Sequence, residues 1–507
     1  MSDAGAAEHF DLVVVGTGSA NSVVGPEFDD WSVAIVERGV FGGTCLNVGC
    51  IPSKMLVYAA DVATAVAGAG AYGIDARIDG VDWPAIRDRV FGRIDPLAAG
   101  GRDYRRGPEC PNVTVFEGDA RFVGEKRLAV RLNEGAAAAG GTVEITGRHI
   151  VLGTGARPFV PPVPGLSEVP YHTSDTVMRL AELPRRMIVL GGGYVACELG
   201  YVFAALGTET TVVNRSGALL RAEDDDVSAA FTEAAAAHFD LRLNAAVVEV
   251  AGAAGTGGEG DATGVRVDIE RARGSGPVRE RLEADVLLVA TGRVPNGDQL
   301  DLDAGGVRHD GGRVLADDNF RTNVEGVWAF GDLSSRIQLK HLANAQARAV
   351  KQNLLAVGRL SGKTAGKAAG ETAGAGLASV PDKFVPHAVF SHPQVAAVGL
   401  TERAARAAGL SVVTARRPYG DTAYGWAMED TASFAKLIAD ADTGLLVGAH
   451  IIGPQAATLI QPLTAAMEFD LDVSRMARGQ FYIHPALTEV VENCLLDLVE
   501  QLPAPRN

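Results

Sequence analysis

The chain has little cysteine, no long apolar run and no excess of positive charge, and each shortage closes a class of function. Five cysteines in 507 residues, an odd number and mostly far apart, cannot form a structural disulfide framework. A close pair in such a setting points to catalysis, which draws attention to Cys45 and Cys50. No segment holds eighteen uninterrupted apolar residues, and residues 1 to 8 show no basic start followed by an apolar stretch. Neither membrane spanning nor export is signalled, and a cytoplasmic location is expected. With a net charge of −16 the molecule is repelled by phosphate backbones and anionic lipid, so neither nucleic acid nor a membrane is expected as a partner. No metal site is expected either.

What is present is enough apolar material, 47% of the residues, to build several cores. Phe10-Asp-Leu-Val-Val-Val is a short apolar strand ending in the loop Gly16-Thr-Gly-Ser-Ala-Asn21, with Ser32-Val-Ala-Ile-Val-Glu37 as the next strand. This βαβ pattern starts again at Arg186-Met-Ile-Val-Leu, runs through Gly191-Gly-Gly-Tyr-Val-Ala196 and a helix from Cys197 to Leu206, and reaches Thr210-Thr-Val-Val-Asn214. Beyond Asn296 the pattern loosens. Residues 361 to 380 read as a flexible insertion, stretches near 135 to 141 and 251 to 263 as loop tips, and the part from Pro381 as a separate α+β domain.

At the first loop Gly16 permits the tight turn, Gly18 lets the backbone approach a pyrophosphate, and the following helix offers its positive end to that charge. Glu37 stands 21 residues after Gly16, where an acid accepts hydrogen bonds from an adenosine ribose. Asn21 replaces the third glycine, which should loosen helix-strand packing slightly. A lone Gly-x-Gly is equally an ordinary turn; the strand, helix and acid around it favour the dinucleotide. The second loop, Gly191-x-Gly193-x-x-Ala196, has no acid at the end of its second strand. Asn214 and Arg215 stand there, with Arg221 six positions on, which favours NADPH. Each charge-assisted bond from arginine to a 2′-phosphate contributes about 1.5 to 3 kcal/mol, so two favour NADPH over NADH by roughly two to four powers of ten. The plainer alternative makes both arginines solvated loop charges.

The most informative segment is Gly42-Gly-Thr-Cys45-Leu-Asn-Val-Gly-Cys50-Ile-Pro-Ser-Lys54. In an unbroken helix five steps of rise would separate the two cysteines by about 7.5 Å along the axis, too far for a relaxed disulfide. The segment must therefore bend before a helix, and Gly49 gives it the freedom. Pro52 suits a first helical turn, so Cys50 is expected at a helix N-terminus, where the dipole stabilises a thiolate. Two buried cysteines packed as small hydrophobes are the bland alternative.

This segment resembles the active site of the pyridine nucleotide-disulfide oxidoreductases, the family of glutathione reductase, dihydrolipoamide dehydrogenase, mercuric reductase and mycothione reductase. The resemblance extends to Gly153-Thr-Gly-Ala-Arg-Pro158, Ala290-Thr-Gly-Arg-Val-Pro-Asn296, Val327-Trp-Ala-Phe-Gly-Asp332 and His484-Pro-Ala-Leu-Thr-Glu489. It implies an α/β fold with two Rossmann-like dinucleotide-binding domains, for FAD and NADPH, and a C-terminal α+β dimerisation domain. The corresponding boundaries are 1–165 for FAD and the redox pair, 166–296 for NADPH, 297–380 for a central FAD-contacting domain and 381–507 for dimerisation.

By the same resemblance Gly16, Gly18, Ser19, Glu37, Gly43, Thr44, Lys54, Thr154, Gly155, Arg293 and Asp332 hold FAD, with Asp332 on the ribityl chain. Gly191, Gly193, Tyr194, Arg215, Arg221 and Gly292 hold NADPH. Lys54 pairs with Glu198 beside the flavin; a surface Lys-Glu pair is the alternative. Cys50 contacts the flavin, Cys45 attacks the substrate disulfide, and His484, oriented by Glu489 and usually followed by a cis proline, serves as acid/base across a two-fold interface, which requires a homodimer. Cys110, Cys197 and Cys494 read as ordinary thiols, and His341, though in a stretch the family places near the flavin, is given no chemistry. The Gly-Thr-Gly-Ser-Ala-Asn21-Ser loop, the run Phe41 to Tyr58 and Gly101-Arg-Asp-Tyr-Arg-Arg106 are most similar to the mycothione reductase branch, implying mycothione as the small disulfide reduced. The other readings are a dihydrolipoamide dehydrogenase and a flavoprotein scaffold or redox sensor without turnover.

Overall fold

The computed structural model describes residues 7–134, 141–254, 263–273, 276–360 and 376–502. The expected loop tips and the 361 to 380 insertion fall largely outside these described residues. The α/β class expected from the sequence is borne out, and the chain divides into two compact units. Each is assembled from three stretches: Met1–Pro52, Asp88–Pro158 and Arg293–Asp382 make one, and Ser53–Arg87, Phe159–Gly292 and Lys383–Asn507 the other.

The first unit is built on a parallel sheet in the spatial order Val113–Gly124, Val33–Glu37, Glu8–Val15, Thr142–Leu152, Val327–Ala329. Arg127–Leu132 pairs antiparallel with its neighbours on both sides. Leu12, Val14, Val33 and Ile35 pack on one face with Trp31, Trp328 and Phe330. Val13, Val15, Ala34 and Val36 pack on the other with Phe122, Leu300 and Leu333. A sheet covered on both faces buries successive residues alternately into two cores, which explains why the first strand reads as an unbroken apolar run.

Between the first two strands no α-helix forms, which corrects the sequence expectation. Two short 3-10 turns, Ser19–Val23 and Pro26–Phe28, carry the chain instead. The segment is short, β-branched Val23 and Val24 disfavour helix, Val24 is extended, and Pro26 cannot donate to a preceding turn.

In the second unit Val286–Val289, Arg186–Leu190, Glu209–Val213 and Asp240–Arg242 form a parallel sheet. The helix after the glycine loop runs Tyr194–Ala205, three residues earlier than expected because it starts directly on Gly193. An antiparallel sheet of Ala245–Ala254, Thr263–Arg273 and Gly276–Ala284 is inserted before the last parallel strand. The C-terminal part is a five-stranded antiparallel sheet covered by helices Ala456–Glu468 and Thr488–Gln501.

One helical stretch, 43–72, is long and apolar enough by length and composition to cross a membrane. It is interrupted at Val48, and its polar groups bond within the protein: Lys54 to Glu198, Asp61 and Thr64 to Tyr201. Those bonds argue for a helix of the folded chain.

Candidate active site

In the first unit, Gly16 has φ +101°, and a Cβ there would lie 2.5 Å from the Gly153 carbonyl oxygen. The turn therefore needs glycine. The Thr17 amide and hydroxyl both donate to Glu37 Oε2, at 2.9 and 2.6 Å, and the Gly39 amide donates to Oε1 at 2.8 Å. A carboxylate accepts about four hydrogen bonds, so Glu37 is oriented with capacity for one more. A Cβ on Gly43 would sit 2.7 Å from Gly18 Cα, so the glycine loop and the segment carrying Thr44 and Cys45 are in contact.

Strand Ala156–Pro158 pairs with Arg293–Pro295, joining two motifs that are 137 residues apart in sequence. Asn296 clamps them by donating to the Thr154 carbonyl at 2.8 Å, its own amide donates to the Gly155 carbonyl, and Arg293 donates to the Ala156 carbonyl at 2.6 Å. Two polar groups here stand out. The Thr154 hydroxyl is buried with no hydrogen bond among the described residues. Burial holds the Asp332 carboxyl above its ordinary range, against the pull of Arg293 and Lys340. An unsatisfied buried hydroxyl and a buried carboxyl beside a pyrophosphate-type turn fit a dinucleotide carrying a polyol, as FAD does.

Asn21 does not loosen this region. Buried Arg105, from the Gly101 to Arg106 stretch, donates through Nε to Asn21 Oδ1 at 2.9 Å and through Nη2 to the carbonyls of Asn21 and Val24, each at 2.9 Å. Two sequence features that looked separate are one device, and sequence reasoning missed it because the partners lie 84 residues apart. The 3-10 turn is held from outside where a helix would have held itself.

Cys45 lies in a five-residue helix, Gly43–Asn47, and Cys50 opens the next, Cys50–Gly68. Between them Val48 leaves helical geometry, and a Cβ on Gly49 would meet the Thr44 carbonyl oxygen at 2.8 Å, so only glycine makes the bend. The two cysteines are in contact as thiols; the hydrogen bond to Cys50, then burial, push the Cys45 thiol well above its ordinary range. Two sulfurs in contact are placed as a dithiol must be to lose and regain electrons as a unit.

In the second unit Lys54 donates to Glu198 Oε2 at 2.6 Å, and Glu198 Oε1 accepts the Phe390 amide at 2.9 Å. Burial raises the Glu198 carboxyl more than Lys54 and that amide lower it. Gly191, with φ +129°, packs its α-carbon against the Ala290 carbonyl, two residues before Gly292. Asn214, in the ribose-acid position, instead donates to Ser216 Oγ and the Ala218 carbonyl, shaping the loop. Arg215 and Arg221 project from that loop, exposed and in no ion pair among the described residues, while Tyr194 begins the helix. The nearby acids are occupied elsewhere: His387 holds Glu223, and Lys436 holds Asp224 and Asp226. Two uncommitted cations beside a helix N-terminus suit a phosphate.

His484 Nδ1 is 2.7 Å from Glu489 Oε1, in the first turn of the last helix, and the His484-Pro485 peptide is cis. The imidazole is 73% exposed, so Nε2 faces outward. Cys110, Cys197 and Cys494 are buried; burial pushes the Cys197 thiol up and the Cys494 thiol up to about 12, which makes those two unreactive.

Residues 10–347 match the family described as pyridine nucleotide-disulphide oxidoreductase, and residues 385–494 match its dimerisation domain. The chain is 46% identical over 495 residues to a mycothione reductase of Mycobacterium tuberculosis strain H37Rv, covering 97% of this chain and 100% of that protein. It is 32% identical over 496 residues to a dihydrolipoyl dehydrogenase of Mycobacterium bovis, covering 97% and 98%. The solved structure of the HOCl-induced flavoprotein disulfide reductase RclA from Escherichia coli superposes with a TM-score of 0.78 at 26% identity, over 96% of this chain and 99% of that one.

Proposed function

Because this chain belongs to the pyridine nucleotide-disulphide oxidoreductases, an FAD-containing and NADPH-dependent family of disulfide reductases, we propose that its own substrate is the low-molecular-weight disulfide mycothione, reduced in the cytoplasm by a homodimer. The observation that carries the reading is the bent Cys45/Cys50 segment, with two thiols in contact and the FAD-type glycine loop packed against it. The likeness to a mycothione reductase along its full length supports the choice of disulfide.

FAD, when bound, supplies the two-electron relay between nicotinamide and sulfur. The chain's residues do the rest. Gly16, Gly18 and Ser19 bind the pyrophosphate, Glu37 the ribose, and Thr154, Gly155, Arg293 and Asp332 the remainder of the cofactor, with Gly43, Thr44 and Lys54 against the ring. Gly191, Gly193, Tyr194 and Gly292 hold NADPH, and Arg215 and Arg221 take its 2′-phosphate. With the pair reduced, the Cys45 thiolate attacks one substrate sulfur, forming a mixed disulfide and expelling the other half. His484 from the second copy, oriented by Glu489, gives that half its proton, since a neutral thiol leaves at lower cost than a thiolate. Cys50 then displaces the second half and restores the Cys45-Cys50 bond.

Steady-state assays with mycothione, glutathione disulfide and lipoamide, using NADPH and NADH in turn, test this. The highest kcat/KM is expected for mycothione with NADPH. Preference for lipoamide with NADH would replace the reading by a dihydrolipoamide dehydrogenase.

A further inference from the structure

The first glycine loop lacks the element that ordinarily makes such a loop positive. In a dinucleotide fold the helix after the loop points its N-terminus, equivalent to about half an elementary charge, at the pyrophosphate. Here Gly18 is followed by the five-residue 3-10 turn Ser19–Val23, and Val24 is extended. At about 2 Å of rise per residue the two ends of such a turn lie roughly 10 Å apart, so its carbonyl end offsets most of what its amide end offers. A side-chain cation stands at each end instead. Buried Arg105 donates to the carbonyls of Asn21 and Val24, each at 2.9 Å, at the far end. At the near end the ammonium of Lys340, first residue of the helix Lys340–Leu360, donates to Ser19 Oγ at 2.8 Å. Ser19 Oγ donates in turn to Asn344 Oδ1 at 3.0 Å, one helical turn beyond Lys340.

A hydroxyl has a single proton to give, so with Asn344 as its acceptor the Ser19 side chain has none for a phosphate. The ammonium keeps protons to spare after Ser19, and it makes no ion pair among the described residues. What the Ser19 side chain brings to the loop is therefore the lysine, held in one direction by a ring of three side chains. We propose that Lys340 is the cofactor-binding cation of this loop: aimed by Ser19 and Asn344, its ammonium pairs with the FAD pyrophosphate and supplies the positive charge that a helix end supplies in an ordinary dinucleotide fold. This role rests on the reading of the first loop as the FAD site. Phosphate oxygens taken out of water need a paired charge, and Lys340 is the cation that touches a side chain of the loop assigned to them. Arg105 has a supporting part: it occupies the carbonyls at the far end of the turn and so keeps their negative charge from opposing the lysine.

The test dilutes the FAD-loaded enzyme and follows release of FAD by the recovery of flavin fluorescence, at low and at high NaCl. Lys340→Gln keeps a donor for Ser19 and removes the charge. Losing one charge-assisted bond to a phosphate costs about tenfold or more, so this variant should release FAD roughly tenfold faster at low salt. It should also lose most of the acceleration by salt that the unmodified enzyme shows, because the screened charge is gone. Lys340→Arg keeps the charge and should stay within about threefold of the unmodified enzyme. Release from Lys340→Gln at the unmodified rate, or with the unmodified salt dependence, overturns the proposal. So does an Arg variant as fast as the Gln variant, which would make the lysine a structural part of the turn. An unmodified enzyme that purifies without flavin and takes none up would instead refute the FAD reading of the loop, a result read without either variant.

Discussion

Arg215 and Arg221 stand exposed beyond the strand Glu209–Val213, and no carboxylate among the described residues neutralises either. Replacing one cation by an anion at a phosphate site removes a charge-assisted bond and adds repulsion. Arg215→Glu should therefore lower kcat/KM with NADPH by about two powers of ten while changing NADH use little. Equal losses with both nucleotides would place Arg215 away from the 2′-phosphate. His149 is a different case, a buried imidazole packed on Trp31 with neither ring nitrogen hydrogen-bonded among the described residues. Burial, then Arg148 and Lys126, hold its pKa at about 4, below the 6.5 of a free imidazole. The folded state therefore keeps His149 neutral while the unfolded chain takes up a proton below about pH 6.5. Stability is lost as pH falls from about 6.5 to about 4, by on the order of 2 to 3 kcal/mol. His149→Leu should flatten that loss, measured as the urea midpoint at pH 7 and pH 4.5. Parallel falls in both proteins would clear His149 of the effect.

Elements in this chain are held as much by distant side chains as by their own propensity. The bend between the helices Gly43–Asn47 and Cys50–Gly68 was legible because its cause is local: helical rise separates the sulfurs and Gly49 relieves the crowding. The 3-10 turns after Gly18 were not, since the guanidinium that orders them comes from Arg105. Lys436 does the same for two helix starts. From the strand Phe434–Asp440 its buried ammonium reaches Asp224 and Asp226 at the start of one helix, at 2.8 and 2.7 Å, and Glu402 at the start of another, at 2.7 Å. Lys436→Met should destabilise the protein by roughly 3 kcal/mol, because it leaves Asp224 buried without its counter-charge. Chemical denaturation would show it, and a change under about 0.5 kcal/mol would mean that the Glu402 amide on Asp224 is enough.

At the scale of the whole molecule, the segment around His484 has the character of a surface awaiting cover. Phe481 is 104% exposed and Ile483 74%, within four residues of an imidazole that has its orienting carboxylate but no substrate-binding wall described around it. Large apolar groups clustered in this way mark association surfaces. Phe481→Asp should convert the dimer to monomer in analytical ultracentrifugation and abolish disulfide turnover while the protein stays yellow, because every residue proposed to hold FAD except Lys54 lies in the other unit. A monomer with full activity would show that His484 acts within its own chain.

The sequence by itself determined both glycine loops, the close cysteine pair with its bend and the α/β class, because each depends on neighbouring residues: a φ that needs glycine, a rise per residue, an apolar alternation. Tertiary structure alone decided what stands beside them. Arg105 reaches Asn21 across 84 residues and Lys340 reaches Ser19 across 321, and the strands 156–158 and 293–295 meet only after folding. Such contacts carry no local signature, since an arginine or lysine on a helix looks the same in sequence whether it faces water or another segment's oxygen.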